Sequence, residues 1–123
     1  MGQTNILDVD IEHQDVTISS TDVKYHFDRI KNDKNVKKGK LVVRPNDFTF
    51  EEQGIEGVVT ERIFFGTITT YTVKTKIGDL VVTRDVNESM KQIGESVHLA
   101  IPVKVVNVFE AEGKNMSLME DAG

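Results

Sequence analysis

The chain has 123 residues, the size of one domain with room for a real core. Its net charge is -5, the wrong sign for nucleic-acid binding, which draws on clustered Lys and Arg. It has no Cys, which excludes disulfides and thiolate metal sites, and no run approaches the ~20 apolar residues that span a bilayer.

Residues 1–4 read as a linker or an expression remnant, 5–112 as one folded domain and 113–123 as a patternless, fraying tail. No charged-then-apolar leader pattern opens the sequence. A strand is expected near 14–19, then a turn at Ser19-Ser20-Thr21-Asp22. From 22 to 28, Val23, Tyr25 and Phe27 alternate with Lys24 and His26, the period-two signature of a strand with one buried face. Lys31, Lys34, Lys37, Lys38 and Lys40, interspersed with Asn, Asp and Gly, read as a solvated loop. Leu41 and Val43 resume the alternation, and Pro45 should end that strand because it fixes its own φ and biases Arg44 to extended geometry.

Phe48 and Phe50 flank Thr49 in a further short strand. Gly54 precedes two long strands at 56–65 and 67–77, and Gly78-Asp79 reads as a two-residue hairpin loop joining Ile77 to Leu80. The single helical candidate is Asn87–Gln92, one or two turns capped by Asn87. Gly94 introduces a strand at 96–101, Pro102 interrupts it, and 104–109 resumes it. Many short, evenly spaced strands imply an all-β sandwich or closed barrel with at most one short helix.

Enzyme motifs are missing. Neither Gly39-Lys40 nor Gly113-Lys114 has the upstream Gly and downstream hydroxyl of a phosphate-binding P-loop. There is no G-x-S-x-G elbow and no H-E-x-x-H. His13, His26 and His98 fall on separate segments, so no metal site is expected. Glu51-Glu52 and Glu110/Glu112 read as solvated strand flanks, and the chain itself is expected to be no enzyme.

Three stretches carry a resemblance. Residues 39–50 read Gly-Lys-Leu-Val-Val-Arg-Pro-Asn-Asp-Phe-Thr-Phe. Residues 57–73 read Gly-Val-Val-Thr-Glu-Arg-Ile-Phe-Phe-Gly-Thr-Ile-Thr-Thr-Tyr-Thr-Val. Ile93-Gly94-Glu95, Val97-His98-Leu99 and Val106-Asn107-Val108-Phe109 follow. In this order they resemble the TOBE domain, the transport-associated OB-fold domain, and Asn5-Ile6-Leu7 is similar to the asparagine-led segment where that family leaves its ATPase domain. Where family members usually carry Glu between Pro and Asp, this chain has Asn46, which weakens any charged contact there but leaves the fold assignment intact.

The resemblance implies an OB-fold-like, MOP-like small β-barrel. It implies a C-terminal regulatory domain of an ABC importer's ATP-binding subunit, with polyamine or ferric-iron import the expected type. ATP and magnesium are expected in an adjoining ATPase domain, with no cofactor here. Implied partners are that ATPase domain, a twin in a homodimer and the membrane permease, at the cytoplasmic face of the membrane. The alternative is a small oxyanion-binding module of the molybdate type, with Arg44, Arg62, Thr67 and Thr69 as ligand-binding candidates. Pro45, Asp47 and Gly66 are the structural motif residues: a strand stop, a turn lock and a backbone bend. A third reading, an OB-fold for single-stranded nucleic acid, needs exposed aromatics along a basic groove. Phe64 and Phe65 are adjacent, so one of them is expected to face solvent, but the acidic balance disfavours nucleic acid.

Overall fold

The computed structural model describes residues 4–28, 30, 36–88, 90–103 and 106–110. Their order is β1 (Asn5–Glu12), β2 (Asp15–Ile18), β3 (Lys24–His26), β4 (Lys38–Val43), a 3-10 turn (Pro45–Asp47), β5 (Thr49–Glu51), β6 (Ile55–Phe65), β7 (Ile68–Thr75), β8 (Gly78–Asp85), β9 (Ser96–Ala100) and β10 (Asn107–Glu110). The described residues are all-β, in two five-stranded antiparallel sheets consistent with a small OB-like fold. The expected tail at 113–123, most of the linker at 1–4, and Lys31 and Lys34 lie outside the described residues. The backbone divides into two compact units, one of Arg44–Pro102 with the first five residues, the other of Ile6–Val43 with the residues from Val103 onward.

In the second of these units the strand order is β10-β4-β1-β2-β3. Leu7, Val9 and Ile11 are buried while Asp8 and Glu12 face out, so β1 is an amphipathic strand that the sequence reading passed over. Val16, Ile18, Leu41, Val43 and Val108 complete its buried face. Lys38 opens β4 instead of lying in the loop the lysine run suggested, and Lys40 lies in that strand, as the strand expected at 40–44 has it. They pair with Asp10 and Asp8 across the wet face, which explains why lysines are tolerated in a strand. Such exposed pairs contribute about 0–1 kcal/mol each. Lys38 also holds the Asp10 carboxyl below its ordinary value.

At the edge of this sheet His26 bridges two carboxylates, Nδ1 to Asp15 at 2.8 Å and Nε2 to Asp28 at 2.9 Å. A neutral imidazole has one N–H and can donate to only one of them, so the arrangement suits imidazolium. Asp15, chiefly, and Asp28 hold the His26 pKa above its ordinary 6.5. His26 in turn lowers the Asp15 carboxyl, helped by Lys24. A raised histidine pKa means that stability is fully present below the unfolded value of 6.5 and fades as pH rises through the folded value. The lowered Asp15 pKa gives stability present above 3.8 and lost as pH falls through its folded value. Amide protection factors across the β2–β3 pair, with the intrinsic base-catalysed rate divided out, are therefore expected to fall as pH climbs above 6.5, and His26→Gln is expected to flatten that fall.

In the other unit the order is β5-β9-β6-β7-β8, with β5 and β8 as edges. Tyr71, Val73, Leu80, Val82, Val97, Leu99, Ile55, Val59 and Phe48 fill its interior. Pro45 terminates the extended backbone as expected: Arg44 keeps φ -74 and ψ 153, and the chain turns at Pro45–Asp47. Asp47 accepts the Arg44 N–H on Oδ2 at 3.2 Å and donates its own N–H to the Arg44 carbonyl at 2.9 Å, closing the turn. The β7–β8 connection differs from expectation by two residues. Lys76 and Ile77 form the loop, and Gly78, at φ +118, opens β8 opposite Thr75.

Asn5 belongs to this unit and is buried. Its amide acts as a surrogate strand neighbour, donating Nδ2 to the Val81 carbonyl at 2.8 Å and accepting the Val81 N–H on Oδ1 at 2.9 Å. Asn5→Ala leaves both backbone groups without their partner and is expected to cost about 1–3 kcal/mol in urea unfolding.

Candidate functional site

The end of the β6–β7 hairpin exposes more large apolar surface than any other described segment. A β-bulge between Val59 and Glu61 shifts the alternation of β6 by one residue. Before it, Ile55, Gly57 and Val59 face inward; after it, Arg62 and Phe64 take that side, opposite buried Tyr71 and Thr69. Ile63 and Phe65, opposite Thr70 and Ile68, turn to the other face. Strand β9 pairs with β6 only from Ile55 to Val58. The last turn of the ribbon therefore projects beyond its neighbour, and Ile63, Phe64 and Phe65 are 48, 50 and 59% exposed. Both phenylalanines face solvent, not one of the two. The sequence hides this because the extra residue is Thr60, with no glycine to mark it. Exposed Val86 adjoins the ribbon, its N–H donating to the Thr67 carbonyl at 2.9 Å.

The predicted site residues take separate places. Gly66, at φ +72 with open space around it, forms a two-residue turn with Thr67. Thr69 is buried in β7, and Thr67 is exposed at the turn. Arg44 is exposed at the 3-10 turn. Arg62 donates Nη1 to the Lys91 carbonyl and the Gln92 side chain, both at 3.1 Å, and lies 5.4 Å from the Phe64 ring centroid. No hydrogen bond or ion pair among the described residues joins Arg44, Arg62, Thr67 and Thr69 to one another.

A second feature lies where the two sheet edges of this unit meet. Arg84, near the end of β8, donates Nη1 to the Phe48 carbonyl at 2.9 Å, next to β5. Its Nε and Nη2 grip the Glu88 carboxylate at 2.6 and 2.5 Å. This pair keeps the Glu88 carboxyl low and raises Arg84. Thr49, Phe50, Glu51, Arg84, Glu88 and Lys91 line an open pocket of about 210 Å³ at this seam. Buried Tyr71 braces it, meeting Phe50 edge-on at 5.3 Å and accepting the Lys91 N–H on its hydroxyl at 3.1 Å.

The same bonds explain why the expected helix at 87–92 is absent among the described residues. Asp85 takes the Asn87 N–H on its side chain and the Glu88 N–H on its carbonyl. Tyr71 takes the Lys91 N–H, Glu95 the Gln92 N–H, and Arg62 the Lys91 carbonyl. A helix would return the Lys91 and Gln92 N–H groups to its own first turn, and with both engaged elsewhere the described residues of the segment are held as a pinned loop.

The TOBE domain family matches residues 41–109, from β4 into β10. The chain belongs to the TOBE domain family. No curated protein matches the sequence. The matched stretch of this TOBE domain contains both the projecting hairpin and the seam pocket. Among its described residues no helix is long and apolar enough to cross a membrane, and no three His, Asp or Glu side chains converge as metal ligands do.

Proposed function

We propose that this TOBE domain is the non-catalytic C-terminal accessory domain of an ABC importer's ATP-binding subunit, in the polyamine or ferric-iron class. ATP and magnesium then bind in the adjoining ATPase domain, and the assembly works at the cytoplasmic face of the membrane with its twin and the permease. The observation that supports the reading is the apolar end of the β6–β7 hairpin, Ile63, Phe64, Phe65 and Ile68, exposed on a rigid two-stranded ribbon. Clustered exposed aromatics of this kind are contact surface waiting for a protein neighbour. The family match supports the transport setting.

The purified chain is expected to release no phosphate from ATP and magnesium above background. In the complete transport subunit, Phe64→Ser with Phe65→Ser is expected to lower ATP-driven uptake while the isolated chain keeps its melting temperature. Phosphate release by the chain alone, or full uptake by the double variant, overturns the reading. Heat on adding molybdate, tungstate, sulfate or phosphate to the chain would favour an oxyanion-binding module instead.

A further inference from the structure

We propose that the seam pocket binds a small apolar α-amino acid: carboxylate on Lys91 and Arg84, side chain against Phe50, ammonium on Glu51. Its volume of about 210 Å³ is below the ~300–1,000 Å³ of sites for drug-sized ligands, so the occupant is a small metabolite.

The unspent hydrogen-bonding groups decide its chemistry. A guanidinium has five N–H donors. Arg84 commits three, two to Glu88 and one to Phe48, which leaves two. The Lys91 ammonium makes no hydrogen bond among the described residues. Its one ion contact, to Glu95, is 3.7 Å long, and it stands 5.6 Å from the Phe50 ring centroid. The Arg84 guanidinium and the backbone that carries Lys91 are held in place. The Arg84 side chain is 22% exposed and triply bonded. The Lys91 backbone is fixed on both sides, its N–H by Tyr71 and its carbonyl by Arg62. Fixed cationic donors of this kind suit a carboxylate.

The pocket is not a general anion trap. Of its two carboxylates, Glu88 is gripped by Arg84, whereas the Glu51 carboxylate acts on Arg84 only through space and makes no side-chain hydrogen bond or ion pair among the described residues. A bare anion is repelled by Glu51 and a bare cation by Lys91, whereas a zwitterion satisfies both. The Phe50 ring, braced by Tyr71, supplies the apolar wall between them.

The test is a two-dimensional amide NMR titration of the whole chain with millimolar L-leucine. Two half-analogues run beside it: 4-methylpentanoate, which lacks the ammonium, and 3-methylbutylamine, which lacks the carboxylate. Leucine is expected to shift the amides of Thr49–Glu51, Arg84 and Lys91. Each half-analogue, and each of Lys91→Met and Glu51→Gln, is expected to weaken binding about tenfold, as the loss of a charged hydrogen bond does. Unchanged melting temperatures for both variants exclude misfolding as the cause. Absence of shifts with leucine, equal binding of 4-methylpentanoate, or wild-type affinity in either variant overturns the proposal.

Discussion

Gly54→Ala is expected to be severely damaging, costing about 3–5 kcal/mol or preventing folding. Gly54 adopts φ +146, where an L side chain is strained, and it lies against β9. A Cβ there would meet the Leu99 carbonyl carbon at 2.7 Å, with the carbonyl oxygen closer still and the Ala100 nitrogen at 3.2 Å. All three are backbone atoms of a central strand, so none can swing aside as a side chain does. Conformational strain of about 1–3 kcal/mol then adds to an overpacking cost of similar size. Gly66→Ala is the control. Its φ of +72 is also left-handed, but nothing lies within 4 Å of the added carbon. Strain alone applies, about 1–2 kcal/mol. Urea unfolding of the two variants separates steric from conformational cost; equal losses would show that the approach to Leu99 does not matter.

Phe48→Ala is expected to cost about 3–5 kcal/mol, the range for deleting a buried aromatic ring. Phe48 is fully buried between the 3-10 turn and β5, and it is one of the largest side chains in the interior. Its carbonyl also accepts Arg84, but alanine keeps that carbonyl, so the loss is one of packing. Phe48→Leu fills most of the volume and is expected to cost less than about 2 kcal/mol. The chain has two compact units, so the readout should be local, such as amide exchange at Val97 and Leu99. An alanine variant within 1 kcal/mol of wild type would place Phe48 outside the cooperative core.

Much of the fold was legible because period-two patterning is a local property. The alternation at Leu41 and Val43, the stop at Pro45 and the paired long strands after Gly54 all appear where the residues put them. Strand β1 carried an equally clear signal, Leu7, Val9 and Ile11 against Asp8, Asp10 and Glu12, and was passed over because Asn5-Ile6-Leu7 read as a boundary. Lys38 looks like loop in the sequence because its partner, Asp10, lies some thirty residues away in the chain. The failed helix at 87–92 is the same lesson. Asn87 and Glu88 favour a helical start, but Tyr71, on a distant strand, takes the Lys91 N–H that a helix would use.

The candidate site was less legible than the fold. Arg62 was singled out for anion contact, yet its guanidinium is engaged with the Lys91 carbonyl and Gln92. Thr69 was singled out beside it and lies inside. Of the pocket residues only Thr49 and Phe50 fall in a stretch the sequence marks; Glu51, Arg84, Glu88 and Lys91 belong to no motif, because they converge only in the fold. The exposure of both Phe64 and Phe65 depends on a bulge at Thr60 and on where β9 stops pairing, and neither is written in the local sequence.

Arg62 gives this unit a mechanical property. Its stem belongs to the ribbon that carries Phe64 and Phe65, while its tip holds the carbonyl of Lys91. The projecting ribbon and the loop of Lys91 and Gln92 are thus tied by one side chain as well as through the strands of the sheet.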